Sequence, residues 1–150
     1  MTRRKRVDRI QKQDIHHIYN MYNVLGRRWM TDWNKRTTMN VPHTHFMALE
    51  ILELEGPQRA TVLANTLAIT SGGVTVMTDK LVKNELVKRV MQEDDRRVVM
   101  LEITEKGRAV LFELQEQRTI MIDDLMKDLT ESEVQELLRI YKKLLDAHQD

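Results

Sequence analysis

The apolar period of this chain changes character once, and that change limits the folds open to it. From Ile15 to Trp33, and again through residues 43–84, apolar side chains recur every three or four positions. That spacing belongs to helices with one buried face. Between residues 86 and 103 it is lost: 86–91 is rich in valine, Glu93-Asp94-Asp95-Arg96 is a charged turn, and Val99, Leu101 and Ile103 alternate with Glu102 and Thr104. The segment reads as a β-hairpin with a charged tip. After residue 104 the helical spacing returns.

The helical segments divide at local stop signals. A long helix over 8–38 carries Ile15, Ile18, Tyr19, Tyr22, Leu25, Trp29 and Trp33 on one face, and Thr37, Thr38, Asn40 and Pro42 end it. A helix over 43–55 buries Phe46, Leu49 and Leu52 and stops at Gly56-Pro57. A short helix over 59–68 turns Val62, Leu63 and Leu67 inward. Thr70 or Ser71 caps the next, which runs to about residue 84 with Val74, Met77, Leu81 and Val82 inside. Beyond the hairpin, Thr104 opens a helix to about residue 129 with Leu111, Leu114, Ile122, Leu125 and Leu129 on one side. Thr130-Glu131-Ser132-Glu133 is a capping box for a last helix bearing Val134, Leu137, Leu138, Tyr141, Leu144 and Leu145.

Three short helices closed by a hairpin make a winged helix-turn-helix. The expected fold is mainly α with a small β-hairpin wing, as a single domain over 1–150 with its winged region at 43–107. The flanking helices, 8–38 and 108–148, carry apolar stripes that one 150-residue chain would struggle to cover. Burying them against a second copy is the simplest solution, so these are read as dimerisation helices of a symmetric homodimer.

Composition removes several classes of function. There is no cysteine, which excludes disulfides, cysteine nucleophiles and Cys-type zinc fingers. No run of apolar residues exceeds four, far short of the roughly 18 that a spanning helix needs. No apolar stretch follows the basic start Arg3-Arg4-Lys5-Arg6, so it is not a secretory signal. The expected location is cytoplasmic, with no membrane partner. Charge is uneven although the net is only +1: residues 1–12 hold six bases and one acid, 57–108 nine bases and seven acids, 123–150 four bases and eight acids. The basic arm 3–12 is either a contact for a polyanion or a solvated tail.

The helix over 71–84 has the outer face that entry into a major groove requires. Ser71, Gly72, Gly73, Thr75, Val76, Asp79, Lys80 and Lys83 lie on it. Gly72 and Gly73 would leave backbone N–H groups open to a phosphate at the positive end of the helix dipole. Thr75 could donate to a base edge or a phosphate, Val76 could touch a thymine methyl, and Lys80 and Lys83 would reach phosphates. An amphipathic helix with solvated lysines shows the same period; the hairpin that follows separates the two readings. In Asp94-Asp95-Arg96-Arg97 a carboxylate beside an arginine would fix the guanidinium for insertion into a narrow, electronegative minor groove.

These residues resemble the MarR family of transcription regulators. The resemblance lies in Val74-Thr75-Val76-Met77-Thr78-Asp79-Lys80-Leu81, in Leu86-Val87, and in Asp95-Arg96-Arg97 through Leu101-Glu102-Ile103-Thr104-Glu105-Lys106-Gly107. Leu63-Ala64 with Leu67 matches the preceding helix, and the layout agrees over essentially the whole chain. The resemblance implies a homodimeric repressor on a pseudo-palindromic double-stranded DNA operator, with helix 71–84 in the major groove and wing 93–97 in the minor groove. It further implies that Arg97 enters the minor groove, Asp95 orients it, and Arg96 meets phosphate nearby. Release by a small aromatic or lipophilic effector is implied as well, with Trp29, Trp33, His45, Phe46 and Met47 as pocket residues. The chain departs from the family in two places. Val76 stands where a basic residue is common, and Glu85 where glycine is usual, so that Asn84 is expected to make the left-handed turn instead.

Competing chemistries find little support. His16-His17 point about 100° apart on a helix, and His43 and His45 lack further ligands, so no metal and no cofactor is expected. The sequence has no P-loop, no Gly-x-Gly-x-x-Gly and no Gly-x-Ser-x-Gly, and an enzyme is not expected. The alternative from another class is a dimeric helical interaction protein without specific DNA binding, which explains the apolar stripes but not the arginine-tipped hairpin.

Overall fold

The computed structural model describes residues 10–92 and 94–147, so the arm residues Arg3, Arg4, Lys5, Arg6 and Arg9 and the wing residue Glu93 lie outside the described residues. Six helices and one antiparallel hairpin follow in order: α1 Lys12–Arg36, α2 His43–Glu55, α3 Ala60–Thr66, α4 Ser71–Lys83, β1 Val87–Met91, β2 Val99–Ile103, α5 Glu105–Met126 and α6 Glu131–Asp146. This is the winged helix-turn-helix order expected from the change of period. The chain divides into two compact units, Met1–Leu114 and Gln115–Asp150, and α5 contributes to both.

The core of the first unit gathers one face from each element. Trp33, Phe46, Leu49, Leu52, Leu63, Val74, Met77, Leu81, Val87, Leu101, Ile103 and Leu114 are all buried. The inward face of α3 differs from the expected one: Leu63 and Ala64 are buried whereas Val62 is exposed. With seven residues α3 makes barely two turns, and one position of error rotates a helical face by about 100°.

β1 and β2 pair from Val87↔Ile103 to Met91↔Val99. A third segment joins them, because Gln58 N–H donates to Leu101 O at 3.0 Å and Leu101 N–H to Gln58 O at 2.7 Å. The root of the wing is thereby stitched to the chain entering α3.

The turn after α4 corrects the sequence expectation. Asn84 is not left-handed (φ −84°); Glu85 is, at φ +61°. Leu86 N–H bonds to Leu81 O at 3.0 Å and Glu85 N–H to Val82 O at 2.9 Å. That pair of bonds is a Schellman motif, and it seats Leu86 and Leu81 together in the core. The register of these bonds puts the left-handed residue one place after Asn84, whatever side chain stands there. Ala68 (φ +53°) ends α3 in the same way, with Ile69 N–H on Ala64 O. Glu85 should therefore carry backbone strain. Glu85→Gly is expected to raise stability by about 0.5–1 kcal/mol, after allowing for the added freedom of the unfolded chain. Urea unfolding checks this, and no gain would show that the strain is already relieved.

The flanking helices look quite different. Ile15, Ile18, Tyr19, Tyr22 and Leu25 of α1 are exposed, and only Trp33 at its end is buried. In the second unit α6 opens with the expected capping box: Thr130 Oγ1 accepts from Glu133 N–H, and Glu133 Oε2 accepts from Thr130 N–H at 2.8 Å. None of its residues is buried, and Leu138, Tyr141, Leu144 and Leu145 are exposed.

Candidate nucleic-acid interface

The helix-turn-helix is α3, the Ala68 turn and α4. Thr70 is the N-cap of α4, its hydroxyl oxygen accepting from Gly73 N–H at 3.0 Å. The amide of Gly73 is thus already occupied, which revises the expectation that both glycine amides stand open. Ser71 and Gly72 occupy the first two positions, where a helix supplies no acceptor, and a methyl added at Gly72 would meet nothing within 4 Å. The Thr75 hydroxyl donates to Ser71 O at 2.9 Å. Its hydrogen is engaged, so without a rotamer change Thr75 can only accept. Val76, Asp79, Lys80 and Lys83 complete the exposed face, while Val74, Met77, Thr78 and Leu81 are buried. The expected outer residues are all exposed, whereas on the inner side Val82 is only half-buried and Thr78, not expected there, is buried.

At the wing tip Asp95 Oδ1 accepts twice from Arg97, from its backbone N–H at 3.0 Å and from Nε at 3.3 Å. The Asp95 side chain is 44% exposed and that of Arg97 is 93% exposed. The carboxylate therefore holds the root of the guanidinium while its two terminal nitrogens project into solvent. Arg96 is exposed beside it.

Other cations of this region are paired. Lys88 Nζ lies 3.2 Å from Glu102, Lys106 Nζ 3.1 Å from Glu85, and Arg108 Nε 2.8 Å from Glu53. Arg89 Nη2 donates to Asp79 Oδ1 on α4. Sequence reasoning does not single out Arg89. The signal was present in the strand period, because Val87, Arg89 and Met91 share one face of β1, and Val87 is buried.

The five expected pocket residues differ in burial. Trp33 and Phe46 are fully buried against each other, ring centroids 4.7 Å apart. Trp29 is half-buried and Met47 exposed. The imidazole that joins the rings belongs to His43 rather than His45: its centroid lies 4.8 Å from that of Trp33, and its Nε2 accepts from Trp29 Nε1 at 3.3 Å. The three-residue step from His43 to Phe46 could have identified it. Burial, and after it the positive charge of Lys80, lower the His45 pKa from its ordinary value and so favour its neutral form.

Among the described residues no cluster of three or more His, Cys, Asp or Glu could hold a metal ion, and no single helix is long and apolar enough to cross a membrane.

Comparison with known proteins places this geometry. The model of the MarR family matches residues 41–99, from the residue before Pro42 to the start of β2. The HTH-type transcriptional regulator MhqR of Bacillus subtilis (strain 168) is 34% identical over 107 residues, 71% of this chain and 74% of its own. The transcriptional regulator BldR from Sulfolobus solfataricus is 32% identical, with a TM-score of 0.77 over 92% of this chain and 99% of its own. A mutant MarR from E. coli complexed with operator DNA shares the fold at 22% identity, with a TM-score of 0.75 over 88% of this chain and 96% of its own. With the family model matching the winged core, and relatives more than 30% identical spanning most of both chains, the chain belongs to the MarR family.

Proposed function

We propose that this DNA-binding transcription regulator works as a homodimeric repressor, each subunit setting α4 into a major groove of its operator and the wing into the flanking minor groove. The observation that carries the reading is the Asp95–Arg97 arrangement. An arginine held by its root with a free fork loses little entropy on insertion, and a narrow minor groove attracts its charge. Ser71, Gly72, Gly73, Thr75 and Val76 face the base edges and the nearest phosphates in this reading, and Lys80, Lys83 and Arg96 face the phosphate backbone. The protein acts by binding, as its relatives that are transcription regulators do, and not as an enzyme, and it works in the cytoplasm. Segments 8–38 and 108–148 serve as the dimerisation regions about a winged region at 43–107, all within one MarR-type domain. Two-fold symmetry then sets half-sites about one helical turn apart.

An effector of small aromatic or lipophilic character would act on the side of α1 and α2, where the Trp29–His43 hydrogen bond ties two half-buried rings. Its binding would loosen the operator by changing how the two winged regions are spaced.

The test is anisotropy binding of the full chain to DNA around its own gene, with random duplex as competitor. Competitor-resistant binding that falls with salt supports the reading, and binding equal to that of random DNA removes the operator at that locus. Arg97→Ala is expected to weaken operator binding by about 1–3 kcal/mol, roughly 5- to 150-fold. Wild-type affinity from that variant would take the wing out of the mechanism.

A further inference from the structure

Asp79 is an unexpected residue for a face that meets DNA. It sits on the exposed side of α4 with Val76, Lys80 and Lys83, where a carboxylate opposes phosphates. Its partner is Arg89, ten residues later on β1. The Arg89 stem leaves the face of the hairpin that carries Val87, and paired with it across the strands is the buried Leu101. The guanidinium emerges where the core ends and meets Asp79 as it does. Both side chains keep solvent access, 46% for Arg89 and 61% for Asp79, and exposed pairs of this kind add little to stability. Their effect is on where a charge points.

We infer that Asp79 is a specificity-determining positioning residue, which holds Arg89 to the protein and so keeps it off the phosphate backbone. The inference rests on the DNA-binding reading above. An unpaired arginine at this site would neutralise a phosphate on any sequence and raise affinity without discrimination. Held by Asp79, the same arginine spans from α4 to β1 and braces the helix against the wing. Random and operator DNA then differ by the contacts of α4 and the wing tip, and not by a general clamp.

The measurement is the salt dependence of binding to a random-sequence duplex for wild type, Asp79→Asn, Arg89→Gln and the double variant, with melting temperatures as a folding control. The expected result is that Asp79→Asn frees Arg89 for one phosphate. Its log–log salt slope steepens by about 0.9, so it loses roughly three- to fourfold more affinity than wild type between 50 and 200 mM salt. Arg89→Gln should keep the wild-type slope, and so should the double variant. A slope that falls in Arg89→Gln would place Arg89 on phosphate in the wild type and overturn the inference. An equal steepening in Asp79→Asn and in the double variant would assign the effect to the lost carboxylate alone, and overturns it too. Absence of any salt-dependent binding by folded wild type would overturn the DNA reading itself, an outcome distinct from either.

Discussion

Replacing Trp33 by alanine is expected to lower stability by about 3–5 kcal/mol, the range for deleting a large buried aromatic, and the melting temperature by roughly 6–20 °C in a chain of this size. The side chain is fully buried, tilted against Phe46 with ring centroids 4.7 Å apart and edge-on to His43 at 4.8 Å. Its Nε1 also donates to Val41 O at 2.9 Å, in the link between α1 and α2. Trp33 is the one buried residue of α1, so the loss falls on the contact that docks this helix on the winged region. Trp33→Phe would keep most of the packing and forgo the hydrogen bond, at a cost of about 1 kcal/mol. A small effect from Trp33→Ala in thermal unfolding would mean that α1 is held by other contacts.

The second large effect is expected at Gly107. A β-carbon there would overlap the Leu86 carbonyl oxygen and press on Ile103 Cγ1. Backbone cannot rotate away as a side-chain end can, and Leu86 O is already engaged by Thr104 N–H at 3.0 Å. Gly107→Ala should cost about 3 kcal/mol, the upper part of the range for an added methyl. The first turn of α5 must lie this close because Thr104 spans the junction. Its hydroxyl donates to Glu85 O at 2.6 Å and accepts from Gly107 N–H at 2.9 Å. Gly72→Ala, which meets open space at a helical position, serves as the control and should hold the melting temperature or raise it slightly. Equal behaviour of the two variants would show that the junction yields.

How far the sequence was readable follows from the range of each interaction. Elements set by neighbours within four residues were legible: the Thr130 capping box, the Thr70 cap, the change of period at the hairpin and the inner face of α4. Two carboxylates beside two arginines at the wing tip were legible locally, and the pairing of Asp95 with Arg97 came from the family resemblance. The left-handed Glu85 was not, because a Schellman turn is fixed by a bond from residue 86 back to residue 81 and tolerates a non-glycine when Leu86 must reach the core. The Gln58–Leu101 bridge and the Asp79–Arg89 pair depend on how elements pack: the strand period puts Arg89 on the face of Val87, but no local pattern names its partner. The apolar stripes of α1 and α6 were readable as stripes, but what covers them is a matter of assembly and lies beyond one chain.

The absence of any buried residue in α6 has a genetic consequence. In the proposed homodimer α6 completes its packing by joining a like chain, so subunits would be exchanged and mixed whenever two alleles are expressed together. A chain with a disabled wing but intact flanking helices would then be incorporated beside normal ones, and at equal expression only about one dimer in four would have both arms working. Loss of DNA contact should therefore behave as a dominant trait, whereas loss of α6 should be recessive.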